Sequence, residues 1–228
     1  MAKLLLFDVD GTLVHAPGGI ASFERAFTIF FNRPVQINPN NRSSGQTDME
    51  IVTAVLNQSN VLSSEIVSSQ EKIITLYVED LIKHTEWTLQ NGHVMPGVVD
   101  LLESIHTLPD ITVSILSGGV RKAVEWKLNV FGLSHFFDWS CAAFGSDSPN
   151  RNDLPKYSLQ RFHSQIKPSE VVVIGDTPKD IECAHKFGSR VFAVATGKYS
   201  LKELSAFNPD YVSQDLSDKK LFLSTIMD

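Results

Sequence analysis

The sequence predicts an α/β protein, an open doubly wound parallel sheet with an inserted helical unit, and three observations predict it. Short continuous apolar runs, LLLF (4–7), ITVSIL (111–116), VVVI (171–174) and VFAVA (191–195), are each bounded by turn residues, as strands buried on both faces are. Helical stretches separate these runs, the alternation that builds a parallel sheet through crossover connections. Between residues 16 and 93 the alternation stops, and three helical stretches follow one another with no apolar strand.

Each element has its own warrant. In the insertion, Ile20, Phe23, Phe27, Phe30 and Phe31 form an apolar stripe, Thr47 and Glu50 make a capping box ahead of Ile51, Val52, Val55 and Leu56, and Ile66, Ile73, Tyr77 and Leu81 line a long third helix. These stripes predict helix packing rather than a cofactor slot. Its junctions, APGG (16–19) and NGHVMPG (91–97), are rich in glycine and proline and predict hinges on which the helical unit swings over the core. Beyond it, Val98, Leu101, Leu102, Ile105 and Leu108 share one helical face, and RKAVEWKLNVFG ends in a glycine stop at Gly132.

Composition bounds the function. The 228 residues are 43% apolar, enough for a sizeable core, and 20 Lys+Arg against 26 Asp+Glu give a net charge of −6 with no basic run to track a nucleic-acid backbone. Cys141 and Cys183 lack CxxC spacing, so neither a disulfide framework nor a zinc site is expected, and a reducing cytoplasm fits. LLLF is too short for a signal peptide or a membrane span, so no membrane partner is expected.

Polar residues follow three of the apolar runs: Asp8 and Asp10 the first, Ser117-Gly118-Gly119 the second, Gly175-Asp176-Thr177 with Asp180 the third. Ligands of open parallel sheets bind beyond the carboxyl ends of the strands, so these groups converge on one edge. Each has an ordinary structural alternative: Asp10-Gly11 as a turn, Ser117 as a helix cap, Thr177, Pro178 and Asp180 as a capping box with proline at the first helical position. Together, however, clustered carboxylates repel unless a cation neutralises them, and magnesium suits Asp8, a backbone carbonyl at Asp10, and Asp176. A carboxylate nucleophile with a second carboxylate two residues on as acid and base is the chemistry of an aspartyl-phosphate intermediate, and Asp8 and Asp10 have that spacing.

FDVDGTL (7–13), LSGG (116–119) and VVVIGDTPKD (171–180), in this order, resemble the first, second and fourth motifs of the haloacid dehalogenase superfamily of phosphohydrolases, and the resemblance covers essentially the whole chain. It implies a Rossmann-like catalytic core, residues 1–15 and 94–228, and a mobile helical cap, residues 16–93. It implies that Asp8 is the nucleophile and Asp10 the general acid/base. Ser117, the Gly118 N–H and Thr12 would bind phosphate, and Asp8, Asp10, Asp176 and Asp180 would hold or orient Mg2+. The third motif departs from the family pattern, which has a lysine there. PNRNDLPKYSLQRF offers Arg151, favoured by the family's spacing from Asp176 and by its fork of donors, or Lys156.

The resemblance also orders the activities. Dehalogenases of the superfamily lack an acid at the position of Asp10 and phosphonatases change it and need a cap lysine, so hydrolysis of a phosphate ester leads. A sugar phosphomutase is the alternative, and a non-catalytic binding protein on the same fold is disfavoured by the retention of Asp8, Asp10, Ser117 and Asp176. In this cap type the loop RSSGQTD (42–48) faces the core, so Arg42 would either pair with a carboxylate or second phosphate or stand solvated, and Gln46 or Thr47 would bond hydroxyls. The GxTD pattern and the length are similar to phosphoglycolate-phosphatase-like members, which implies a small phosphorylated metabolite. His15, just after the first motif, is expected either to line the cleft or to be solvated.

Overall fold

The computed structural model describes residues 3–38 and 44–227. Strand β1 (Lys3–Phe7) leads through a two-residue β2 (Val14–His15) into four helices, α1 (Gly19–Phe31), α2 (Asp48–Gln58), α3 (Ile66–Lys83) and α4 (Thr85–Asn91), and the chain returns through β3 (His93–Val94). The remainder alternates: α5 (Val98–Ile105), β4 (Ile111–Ser117), α6 (Arg121–Val130), β5 (Ala143–Phe144), α7 (Leu154–Arg161), β6 (Val171–Gly175), α8 (Pro178–Phe187), β7 (Arg190–Val194), α9 (Leu201–Ser205), β8 (Tyr211–Ser213) and α10 (Lys219–Met227).

Among the described residues six strands form one parallel sheet in the order β5-β4-β1-β6-β7-β8. The chain winds outward from β1 through β4 to β5, then crosses to β6 and continues the other way, so β1 lies where strand order reverses. Side-chain alternation on β1 sends Leu5 and Phe7 to one face and Leu4 and Leu6 to the other, and each pair belongs to a separate apolar cluster. All four side chains are inaccessible to solvent, which is why the strand reads as an unbroken apolar run rather than an alternating one. Phe7 packs its ring against Phe137 and Phe222, and Phe7→Ala would cost about 3–5 kcal/mol.

A third cluster joins α1, α2 and α3 through Phe23, Phe27, Val52, Leu56, Ile73 and Tyr77, and it extends onto α6 through Val120 and Ala123. The predicted stripes thus pack as helix contacts. The expected long third helix is followed by a separate α4: at His84 the backbone leaves helical geometry, with φ −102° and ψ 18°, and the imidazole Nδ1 lies 2.7 Å from the Asp80 carbonyl it helps to satisfy. The ends of the inserted helices are held together by a small antiparallel ladder, Val14 opposite Val94 and His15 opposite His93. Among the described residues no helix is long and apolar enough to cross a membrane.

Candidate active site

The carboxyl ends of β1, β4 and β6 deliver the polar groups. The Asp8 N–H donates to the Ile174 carbonyl at 2.8 Å, extending the β1–β6 pairing one residue past the strand and fixing the Asp8 carboxylate beside that of Asp176. Asp180 arrives from the first turn of α8, whose capping box is formed by Thr177 and Asp180 with Pro178 at the first position. The capping role and the clustering role coexist: one Asp180 oxygen accepts from Thr177 and the other from Arg151.

Asp8, Asp176 and Asp180 are buried and offer oxygens that all lie within 4.8 Å of one another. Burial pushes the Asp8 carboxyl up to about 7; the Arg151 guanidinium opposes the rise, and the charges of Asp180 and Asp10 add to it. Burial, with the charges of Asp8 and Asp180, pushes Asp176 up to about 8. An all-oxygen donor set whose members resist ionising together is what a hard divalent cation relieves, so the residues fit the magnesium that the sequence implies. The surrounding backbone leaves room only for these carboxylates. A Cβ at Gly11, where φ is +90°, would stand 2.5 Å from Asp176 Oδ2, and one at Gly197 would stand 1.7 Å from the same oxygen.

Arg151 is buried among them, its Nη2 donating to Asp8 Oδ1 at 2.6 Å and to Asp180 Oδ1. Lys156 lies exposed on α7, one and a half turns further along, and does not reach the cleft. Arg151 sits in the short 3-10 turn Arg151–Asp153 that precedes α7, pointing into the core, whereas Lys156 projects from α7 to solvent, which corrects the inclusion of Lys156. Ser117 and Gly118 line a cleft of about 580 Å³ together with Asp8 and Asp10. Gly118 has no room for a side chain, since a Cβ there would lie 2.7 Å from the Gln46 carbonyl and 3.0 Å from Arg151 Nη1.

The loop ahead of α2 is seated on the core. The Asp48 N–H donates to the Gly118 carbonyl at 2.8 Å, the Asp48 carboxylate accepts from the Val120 N–H at 2.9 Å, and the Thr47 hydroxyl donates to the Pro149 carbonyl at 2.7 Å. Gln46 lines the cleft. Thr47 does not: it is fully buried and its hydroxyl also accepts from the Glu50 N–H, so it serves helix capping and this core contact, correcting its assignment to substrate. Thr12 is likewise turned away from the cleft, donating to Asp176 Oδ1 at 3.3 Å, and so orients a carboxylate rather than touching phosphate. Arg42 lies outside the described residues. His15 lines the cleft with its ring 5.3 Å from that of His93.

Sequence reasoning missed two charged residues of the site. Lys127 is buried on α6 and donates to Asp10 Oδ2 at 2.5 Å, while the Asp10 side chain remains 49% exposed and stands outside the three-carboxylate group. Burial works against the Lys127 ammonium, but the charges of Asp10 and Asp48 outweigh it and raise its pKa. Asp48 lies partly buried nearby, and desolvation pushes its carboxyl up to about 6 against the pull of Lys127. The signal for Lys127 was its position: it shares a helical face with Ala123, Val124 and Leu128, where a lysine needs a partner.

Residues 5–194 match the family model of the haloacid dehalogenase-like hydrolases. The chain is similar to a phosphoglycolate phosphatase of Vibrio vulnificus (strain YJ016), 24% identical over 220 residues that cover 94% of this chain and 93% of that one. It is also similar to the pyrophosphatase PpaX of Oceanobacillus iheyensis, 24% identical over 220 residues covering 95% and 94%. Among solved structures, CbbY from Rhodobacter sphaeroides in complex with phosphate shares the fold, with a TM-score of 0.72 at 16% identity over 96% of each chain. The family match spans the strands that carry Asp8, Ser117 and Asp176, and the protein belongs to the haloacid dehalogenase-like hydrolase family.

Proposed function

We propose that the protein is a magnesium-dependent phosphatase that hydrolyses a small phosphorylated metabolite through an aspartyl-phosphate on Asp8. The observation that carries this reading is the position of Asp8, at the end of the central strand, in a cleft of about 580 Å³ and within 4.8 Å of the oxygens of Asp176 and Asp180. Both curated relatives named above are phosphatases by name, one of phosphoglycolate and one of pyrophosphate.

Asp8, Asp176 and Asp180 would hold the magnesium ion, with the Asp10 carbonyl as a further ligand. When bound, the ion shields the incoming phosphate from the carboxylates and draws charge from its oxygens. Arg151 holds one oxygen of Asp8 and leaves the other to attack phosphorus as the bond to the leaving oxygen breaks. Asp10, at the half-exposed rim, gives the leaving oxygen its proton and then takes one from the water that attacks phosphorus, releasing inorganic phosphate and restoring the Asp8 carboxylate. Ser117 and the Gly118 N–H bind the transferring group, and Lys127 positions Asp10. Residues 16–93 act as a cap that opens on the β2–β3 junction to admit substrate.

The test is phosphate release from p-nitrophenyl phosphate and a panel of small phosphate esters, with magnesium and with chelator, for wild type and Asp8→Asn. Magnesium-dependent release lost in Asp8→Asn is expected. Release from no ester, with interconversion of sugar-phosphate isomers instead, would replace the reading by a phosphomutase.

A further inference from the structure

We infer that the cleft is built for a phosphate ester whose leaving group is an uncharged alcohol with an apolar, ring-sized body and one polar group, recognised by the aromatic wall of the inserted helices and the Tyr77 hydroxyl. This rests on the phosphatase reading of Asp8 and narrows its substrate class away from substrates that carry a second anionic group.

The cleft is two-sided. The core side carries Asp8, Asp10, Ser117 and Arg151, whereas the facing side is built by Ile20 and Phe23 of α1, Ile51 of α2, Tyr77 of α3 and Trp87 of α4. Every helix of the insertion thus contributes an apolar or aromatic side chain to the same wall. Trp87 is held over the hinge, where a Cβ at Gly18, with φ +101°, would stand 3.0 Å from its ring. A cleft of about 580 Å³ accommodates a ring-sized body beside a phosphate.

The cations among the described lining residues are already committed. Of the described lining residues, Lys127 pairs with Asp10 and Arg151 with Asp8 and Asp180. The partly buried Asp48 carboxylate also lines the cleft and adds a negative charge to it.

Tyr77 supplies the positive feature. It is 2% exposed and stacked on Phe23 with ring centroids 3.7 Å apart and planes 7° from parallel, so its orientation is fixed. Tyr77 lines the cleft, and its hydroxyl, close to Gly19, makes no hydrogen bond among the described residues and is not sealed from solvent. A hydroxyl or ether oxygen on the leaving group would accept a hydrogen bond from it in place of water. Burial, with the charges of Asp48 and Asp10, keeps the phenol protonated and therefore a donor.

The experiment compares kcat/KM at fixed magnesium for benzyl phosphate, 4-(hydroxymethyl)benzyl phosphate, phosphoglycolate and pyrophosphate, with p-nitrophenyl phosphate as the general substrate. The neutral esters are expected to exceed the two polyanions by about tenfold or more. Trp87→Ala should raise KM for both benzyl esters, and Tyr77→Phe should shrink the advantage of the hydroxylated ester over the plain one. Turnover of p-nitrophenyl phosphate with preference for phosphoglycolate or pyrophosphate overturns the inference alone, and loss of that preference in Arg42→Ala would identify the cation responsible. An unchanged ester ratio in Tyr77→Phe overturns the role of the hydroxyl. No turnover even of p-nitrophenyl phosphate overturns the phosphatase reading and the inference with it.

Discussion

Replacing Arg151 with methionine removes the guanidinium that neutralises the carboxylate cluster while keeping most of its buried volume. Two carboxylate oxygens 4.8 Å apart repel by about 3.5 kcal/mol at an effective dielectric of about 20, and Asp8, Asp176 and Asp180 all lie at least that close. Protonation limits the cost, because Asp8 and Asp176 are already raised to about 7 and about 8 and accept a proton near neutrality rather than bear the full repulsion. Breaking a buried ion pair in this way costs about 3–5 kcal/mol. For a chain of this size that lowers the melting temperature by about 6–20 °C. The assay is thermal unfolding followed by circular dichroism, in chelator and in millimolar magnesium. Magnesium should raise the melting temperature of Arg151→Met more than that of wild type, because the ion then meets a more negative site. Arg151→Lys keeps the charge without the fork and should fall between the two. The reasoning is refuted if Arg151→Met melts within about 2 °C of wild type in chelator, or if magnesium stabilises both proteins equally.

Three further outcomes follow from the same geometry. Asp8 and Asp176 bind protons more tightly folded than at their ordinary value of 3.8, so in chelator stability should decline as pH rises from about 4 to about 8, and magnesium should flatten that decline; urea titrations across the range measure it. Lys127→Met should cost about 1–3 kcal/mol in urea unfolding, discounted because Asp10 is half exposed, and should lower kcat; adding Asp48→Asn should recover part of the stability by removing a partly buried charge left without its cation. Gly197→Ala would drive a Cβ to 1.7 Å from Asp176 Oδ2, so the carboxylate must move, and magnesium affinity measured by calorimetric titration should fall about 10–100-fold.

The long strands and the carboxylates were legible in the sequence for a physical reason: strands covered on both faces have no polar positions, so the first acid after an apolar run marks the strand's end and the sheet's edge. Arg151 was legible through its spacing from Asp176. Strand β5 was not, because Ala143–Phe144 is two residues long and takes its extended form from pairing with Leu116 and Ser117 rather than from any pattern of its own. Edge strand β8, Tyr211–Ser213, is partly buried throughout and too short to show a period. For Thr12 and Thr47 the sequence reports a hydroxyl but not its partner, and both partners, Asp176 and the Pro149 carbonyl, lie more than a hundred positions away. Lys127 and Asp48 were hidden in the same way, as each is explained by the other.

The small ladder that joins Val14 to Val94 also bears on how the chain folds. The central pairing of the sheet, Leu5 with Val113, is a contact between distant parts of the sequence, and closing a loop of about a hundred residues is entropically slow. The inserted helices touch mainly one another, α1 on α3 and α2 on α3, so they can form before the sheet does. Once they have, the ladder leaves about two dozen free residues between β1 and β4, which reduces the closure cost by about 1.4 kcal/mol. That corresponds to about a tenfold faster meeting of the two central strands. A pair of two-residue strands, negligible in the stability of the finished sheet, thereby governs how soon that sheet is nucleated.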